Sequence, residues 1–229
     1  MKQKFLLIIG ILFCYNVIAQ KPKIEKPDYK KIKSEVTNKN SKMYYPNLFE
    51  RYRNFDTTLK KEEFKFLYYG YLFQDSYKPY GNSIYSDSLK KVYRKESLSS
   101  DDLDTIIKYE KLVLKDCPFD LRDLNMLAYG YSQKGNKDSV KLIDYELNNL
   151  IMTILSTGDG IKEKSAWHVI SVGHEYDILN ILGYKFGGMQ SLTNKGCDYL
   201  VVGENRNGIK GFYFDVNMIL EAESKLFKK

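Results

Sequence analysis

The chain has 229 residues, 36 Lys and Arg against 29 Asp and Glu, a formal net charge of +7 and 43% hydrophobic content. Basic and acidic residues are interspersed, as in Lys60-Lys61-Glu62-Glu63, and with the exported compartment expected below this argues against a nucleic-acid partner. Behind the expected leader about 210 residues remain, enough to bury a core without a metal or a disulfide staple.

The N-terminus reads Met1-Lys2-Gln3-Lys4, then an apolar run over 5–14, then Val17-Ile18-Ala19. A basic start, a short apolar stretch and small or β-branched residues before a cut define a secretory signal peptide over 1–19, cleaved after Ala19. The run is too short to span a bilayer, and no later stretch is long enough, so no transmembrane segment is expected. Cys14 follows the large Phe13, which excludes lipid attachment there. Loss of Lys2 and Lys4 leaves an exported chain of net charge +5, periplasmic or extracellular.

Residues 20–45 are Lys-rich and read as a tether with one short helix over 28–36. Lys21, Lys23, Lys26, Lys30, Lys31 and Lys33 are expected to be solvated rather than to anchor the chain to an anionic surface. Residues 46–158 carry helical periodicity. Pro46 suits a first helical position, and Leu48, Phe49, Tyr52 and Phe55 follow on one face. A second helix is predicted over 60–74, then a loop marked by Lys78-Pro79-Tyr80-Gly81-Asn82. Ser99-Ser100-Asp101-Asp102 starts a helix to about 115, and two further helices follow over 120–134 and 137–156 around Gly135-Asn136.

After Gly158-Asp159-Gly160 the pattern changes over 159–229. Strands are predicted over 167–172, 185–192, 198–202 and 211–216, with Asn207-Gly208 as a turn signal. A short helix over 175–182 would stop at Gly183, and another closes the chain over 218–227. The fold class is α+β: a helical-hairpin, tetratricopeptide-like body packed against a small C-terminal antiparallel sheet of the same domain.

Two helices echo one another sixty residues apart, sharing Leu-x-Tyr-Gly-Tyr at Leu67 to Tyr71 and Leu127 to Tyr131. Glycine inside a helix costs about 1 kcal/mol against alanine, so both positions point to close helix–helix approach. Leu124, Leu127, Ala128 and Tyr131, with the Gly135-Asn136 turn and Val140, resemble one tetratricopeptide repeat. No neighbouring copy follows at that family's period, so stacked helical hairpins are expected rather than a full solenoid.

At whole-chain scale three stretches carry a second resemblance. They are Tyr68-Tyr69-Gly70-Tyr71 with Tyr77-Lys78-Pro79-Tyr80, His174-Glu175-Tyr176-Asp177-Ile178-Leu179, and the end from Gly208 to Val216. Over about 28–225 the sequence resembles an uncharacterised family of secreted Bacteroidetes proteins, a domain of unknown function. That resemblance implies an exported compartment and one domain, and brings no activity.

Chemistry-bearing motifs are sparse. His168 and His174 are the two histidines, six apart rather than at helical metal spacing, and with Asp177 they are the weak catalytic candidates. More often such residues are ordinary core or helix-start side chains. No metal site and no cofactor is expected, since there is no phosphate loop, no third dinucleotide glycine and no nucleophile elbow. Cys117 and Cys197 survive leader cleavage and could form a disulfide or stand apart. Tyr77, Tyr80 and Tyr85 lie in a loop by composition and are the candidate binding residues, because tyrosine joins apolar area to a polar tip.

The sequence does not assign a function. The favoured reading is a non-enzymatic extracytoplasmic interaction module of the cell envelope with a protein partner. The alternatives are a His-dependent or metal-dependent hydrolase and a glycan-binding accessory protein.

Overall fold

The structure is a computed structural model that describes residues 24–79, 81 and 83–226. The expected leader therefore lies outside the described residues, as does Tyr80. Helices fill the first two thirds: α1 (Tyr29–Thr37), α2 (Tyr45–Arg53), α3 (Lys61–Gly70), α4 (Ser86–Tyr93), α5 (Ser100–Asp116), α6 (Leu121–Gln133) and α7 (Lys137–Leu155). The remainder holds β1 (Trp167–His168), α8 (Gly173–Ile181), β2 (Phe186–Leu192), β3 (Cys197–Val202), β4 (Gly211–Asp215) and α9 (Asn217–Leu226). A mostly helical N-terminal region thus packs against a small four-stranded sheet.

Local chemistry accounts for most boundaries. Ser99 caps α5 with a full capping box, while Asp120 and Asn136 accept from backbone amides at the starts of α6 and α7. Three helices end in the same left-handed turn, closed by paired backbone bonds. Gly135 does this after α6, with φ +75°, and Gly183 after α8, with φ +79°. After α2 the position is held by Phe55, at φ +53° the single non-glycine residue in that region among those described. Its amide donates to the Tyr52 carbonyl at 2.9 Å and the Asp56 amide to Arg51 at 3.0 Å, the pattern of the other two turns.

The segment expected to be a tether is docked. Ile32 and Val36 of α1 are buried, and the Glu25 amide donates to the Ser156 carbonyl at 2.9 Å. Two apolar side chains four apart among lysines suffice here because α3 offers a slot. A Cβ added at Gly70 would lie 2.7 Å from Val36 Cγ1. Gly130 does the same for α5 against α6, where an added Cβ would meet Ile107 Cγ1 at 2.9 Å. Both glycines of the echo are therefore sites of close helix contact. Helix α4 is a further departure, since composition predicts loop across its start.

The sheet order is β1-β4-β3-β2. It is mixed rather than antiparallel, because β1 pairs parallel with β4, Trp167 opposite Phe214. The strand predicted over 167–172 is only two residues long; Ser171 and Val172 instead lead into α8. β3 and β4 are antiparallel, with Leu200 opposite Phe212. Trp167 stacks on Phe212 with centroids 5.1 Å apart, and its indole N–H donates to the Gly158 carbonyl at 3.0 Å. A Cβ at Gly158 would sit 2.0 Å from the Ser165 carbonyl oxygen, so the crossing at 158–165 requires glycine. One cluster of buried side chains runs from Ile32 through Tyr68 and Ile154 to Phe214, joining helices and sheet. No helix among the described residues is long and apolar enough to cross a membrane.

Candidate functional site

A cavity of about 720 Å³ lies where the loop after α3 meets the end of α5 and the start of α8. It is lined by Tyr77 and Tyr85 from the loop, Cys117 from the turn after α5, and His174 from α8, so four sequence-selected residues converge on one cleft. His168 and Asp177 are not among its lining residues.

Two contacts pin the loop to the end of α5, and a third ties it back to the turn after α3. Ser83 Oγ donates to Asp116 Oδ2 at 2.6 Å, Cys117 Sγ lies 3.4 Å from the Gly81 carbonyl, and the Tyr71 hydroxyl donates to the Ser76 carbonyl at 3.2 Å. Tyr77 is half-buried and its hydroxyl donates to the Ile170 carbonyl at 2.8 Å, tying the loop to the approach of α8. Tyr85 precedes α4 and rests against Tyr109, with centroids 6.3 Å apart. Between them Ile84 is 83% exposed, the most exposed large apolar side chain described. Sequence reasoning passed over Ile84, although an isoleucine in a Ser-Asn loop was a legible signal. It also passed over Asp116 and Asp120, which give the cleft acidic groups opposite Lys78 and Lys115.

His174 is fully enclosed. Its Nδ1 lies 2.7 Å from the Tyr68 hydroxyl, and the ring stacks on that of Tyr68 with centroids 5.7 Å apart. The same Tyr68 oxygen accepts, at 3.4 Å, from the Ile170 amide. Burial pushes the imidazole down to about 4, so it is neutral at pH 7, with its Nδ1 engaged by Tyr68.

His168 belongs to a different environment. Its Nδ1 is 3.2 Å from the Tyr29 hydroxyl and 3.8 Å from Asp215 Oδ2, while its buried Nε2 has no partner among the described residues. Desolvation outweighs the nearby Asp215 and lowers its pKa, so the close approach to Asp215 is not an ion pair at neutral pH. The Tyr69 hydroxyl donates to the His168 carbonyl, whereas its neighbour Tyr68 serves His174. Adjacent tyrosines of α3 thus hold the two histidines through separate contacts.

Asp177 is pushed up to about 7 by burial and then by Asp120. No cluster of metal-ligating side chains occurs among the described residues. Cys117 and Cys197 are both free thiols rather than a bridge. Cys117 ends α5 and Cys197 begins β3, and burial raises each thiol to about 11.

Residues 30–225 match a family described as Domain of unknown function (DUF4919). The chain belongs to DUF4919. The match takes in α1, so the docked segment at 30–37 is inside the DUF4919 unit, and so is the whole tyrosine cleft. No curated protein and no solved structure matches the chain.

Proposed function

We propose that this DUF4919 protein is a non-enzymatic interaction module, exported by its leader, that binds a protein partner of the cell envelope in the cleft around Ile84. The observation that carries this reading is the state of the reactive groups at the cleft. His174 is buried with its Nδ1 taken by the Tyr68 hydroxyl and its imidazole held neutral at pH 7, and the Cys117 thiol is held well above neutrality. Neither is available as a base or nucleophile. What the cleft offers instead is recognition chemistry: exposed Ile84 between aromatic side chains, with charges of both signs from Lys78, Lys115, Asp116 and Asp120.

The hydrolase reading needs His168, His174 and Asp177 to act together, and it loses support from the separate partners of the two histidines. The glycan reading needs open tyrosine faces and hydroxyls; the Tyr77 hydroxyl is already engaged with Ile170.

The test is photo-cross-linking in envelope extract of the native source, with the photoreactive group placed at residue 84 and, as control, at exposed Lys141 on α7. A partner that cross-links from position 84 and not from 141, and is lost when Tyr77 and Tyr85 become Ala in a still-folded variant, supports the module. Equal labelling from both positions, or none, refutes it.

A further inference from the structure

A second cavity, of about 310 Å³, opens between α2, α5, α6 and α7. Its lining is largely leucine and aromatic, yet it includes the Glu146 carboxyl, 4% exposed, with Oε1 lacking any partner among the described residues. An orphaned buried carboxyl is a standing cost to the fold and calls for an explanation. Burial pushes this group up to about 9, so at neutral pH it is an acid with a proton to donate.

A second anomaly sits on the same lining. Phe55 holds the left-handed turn that glycine holds after α6 and α8, and its ring is 37% exposed. Strain of this kind at a cavity wall is a pointer to function. The third observation is charge. Glu146 is the one acidic lining residue, whereas Arg53, Lys111 and Lys115 are basic. Arg53 lies 6.0 Å from the Phe49 ring centroid and Lys111 5.3 Å from that of Tyr131.

We propose that this cavity binds a medium-chain fatty acid, whose apolar chain fills it while the carboxylate accepts a hydrogen bond from Glu146 and is neutralised by Arg53, Lys111 and Lys115. The size fits one chain: about 310 Å³ is at the lower end of ligand pockets, too small for a two-chain lipid. A lipophilic ammonium is disfavoured, since Phe49 and Tyr131 already face protein cations and Glu146 is uncharged. Of the lining residues, this site shares one with the partner cleft, Lys115 at the end of α5.

The experiment is calorimetric titration of the protein with decanoate below its micelle threshold, beside decyltrimethylammonium and decanol. Decanoate should bind saturably and more tightly than either. Glu146→Leu, which replaces a buried orphan by an apolar side chain, should keep or raise the unfolding temperature and weaken decanoate about tenfold or more. Glu146→Gln keeps a donor and should retain most of the affinity. Phe55→Gly should raise the unfolding temperature while weakening decanoate, and Tyr85→Ala should leave it unchanged. Absence of saturable decanoate binding, tighter binding of the ammonium, or unchanged affinity in a folded Glu146→Leu variant each overturns the proposal.

Discussion

Replacing Tyr68 by Phe removes one oxygen from the centre of the helix–sheet contact. That oxygen is hydrogen-bonded to His174 Nδ1 at 2.7 Å and accepts from the Ile170 amide at 3.4 Å, and the residue is 0% exposed. The lost hydrogen bond to the histidine is worth about 1 kcal/mol net, and leaving a buried acceptor and a buried amide unpaired adds about 1–3 kcal/mol more. The expected loss is about 2–4 kcal/mol. At about 2–4 °C per kcal/mol for a chain of this size, the unfolding midpoint should fall by about 5–15 °C. Urea unfolding and thermal circular dichroism at pH 7.5 measure both quantities. Tyr85→Phe is the control, expected within about 0.5 kcal/mol of the parent. The double variant Tyr68→Phe with His174→Leu should recover part of the loss, because apolar groups then replace both partners. A Tyr68→Phe loss below about 0.5 kcal/mol would refute the reasoning. It would mean that the imidazole is not held by this pair, and His174 would return as a catalytic candidate.

Gly70→Ala gains about 1 kcal/mol of helix propensity but drives a Cβ to 2.7 Å from the stiff, buried Val36, at an overpacking cost of about 1–3 kcal/mol. A net loss is expected in urea unfolding, and a gain would show that α1 does not sit in that slot. Stability should fall between pH 5 and pH 8. Glu146 and Glu175 are raised to about 9, Asp123 to about 8, and Glu110 and Asp177 to about 7, all first by burial. The folded chain keeps these protons after the unfolded chain has released them, so their contribution is full near pH 4 and lost as pH rises through the folded values. His174, lowered to about 4, acts oppositely: its contribution is present above about pH 6.5 and lost as pH falls toward 4. With five carboxyls against this and the similarly lowered His168, the urea midpoint should be higher at pH 5.5 than at pH 8; the reverse order would contradict these environments. Cys117 and Cys197 should both titrate as thiols in unreduced, unfolded protein, and react slowly with iodoacetamide in the folded protein at pH 7.5. Recovery of a disulfide-linked peptide pair from the native source would contradict their separation.

Local signals carried the helices and their ends. Gly135 and Gly183 stop helices where a left-handed residue is needed, and Gly70 and Gly130 mark two close helix approaches. These features were legible because each depends on a few neighbouring residues. The helix at α1 is legible but its docking is not: its two buried side chains are a weak pattern among lysines, and only the slot at Gly70, far along the chain, makes them enough. The parallel pairing of β1 with β4 is equally non-local. At the cleft, composition pointed to Tyr77 and Tyr85, but nothing in the sequence reveals that the Tyr77 hydroxyl is engaged by Ile170 or that Tyr68 occupies His174. Glu146 and Phe55 are invisible in sequence. One looks like any helix-face glutamate, and the other matches the apolar stripe of α2 although its backbone has already left the helix.

Trp167 gives the protein a spectroscopic address. It is the chain's one tryptophan, enclosed between β4 and the glycine crossing at 158–160. Its emission therefore reads the seam where the sheet closes on the helices. Far-ultraviolet circular dichroism is dominated by those helices. Followed together during unfolding, the two signals time the release of the sheet against the melting of the helical body.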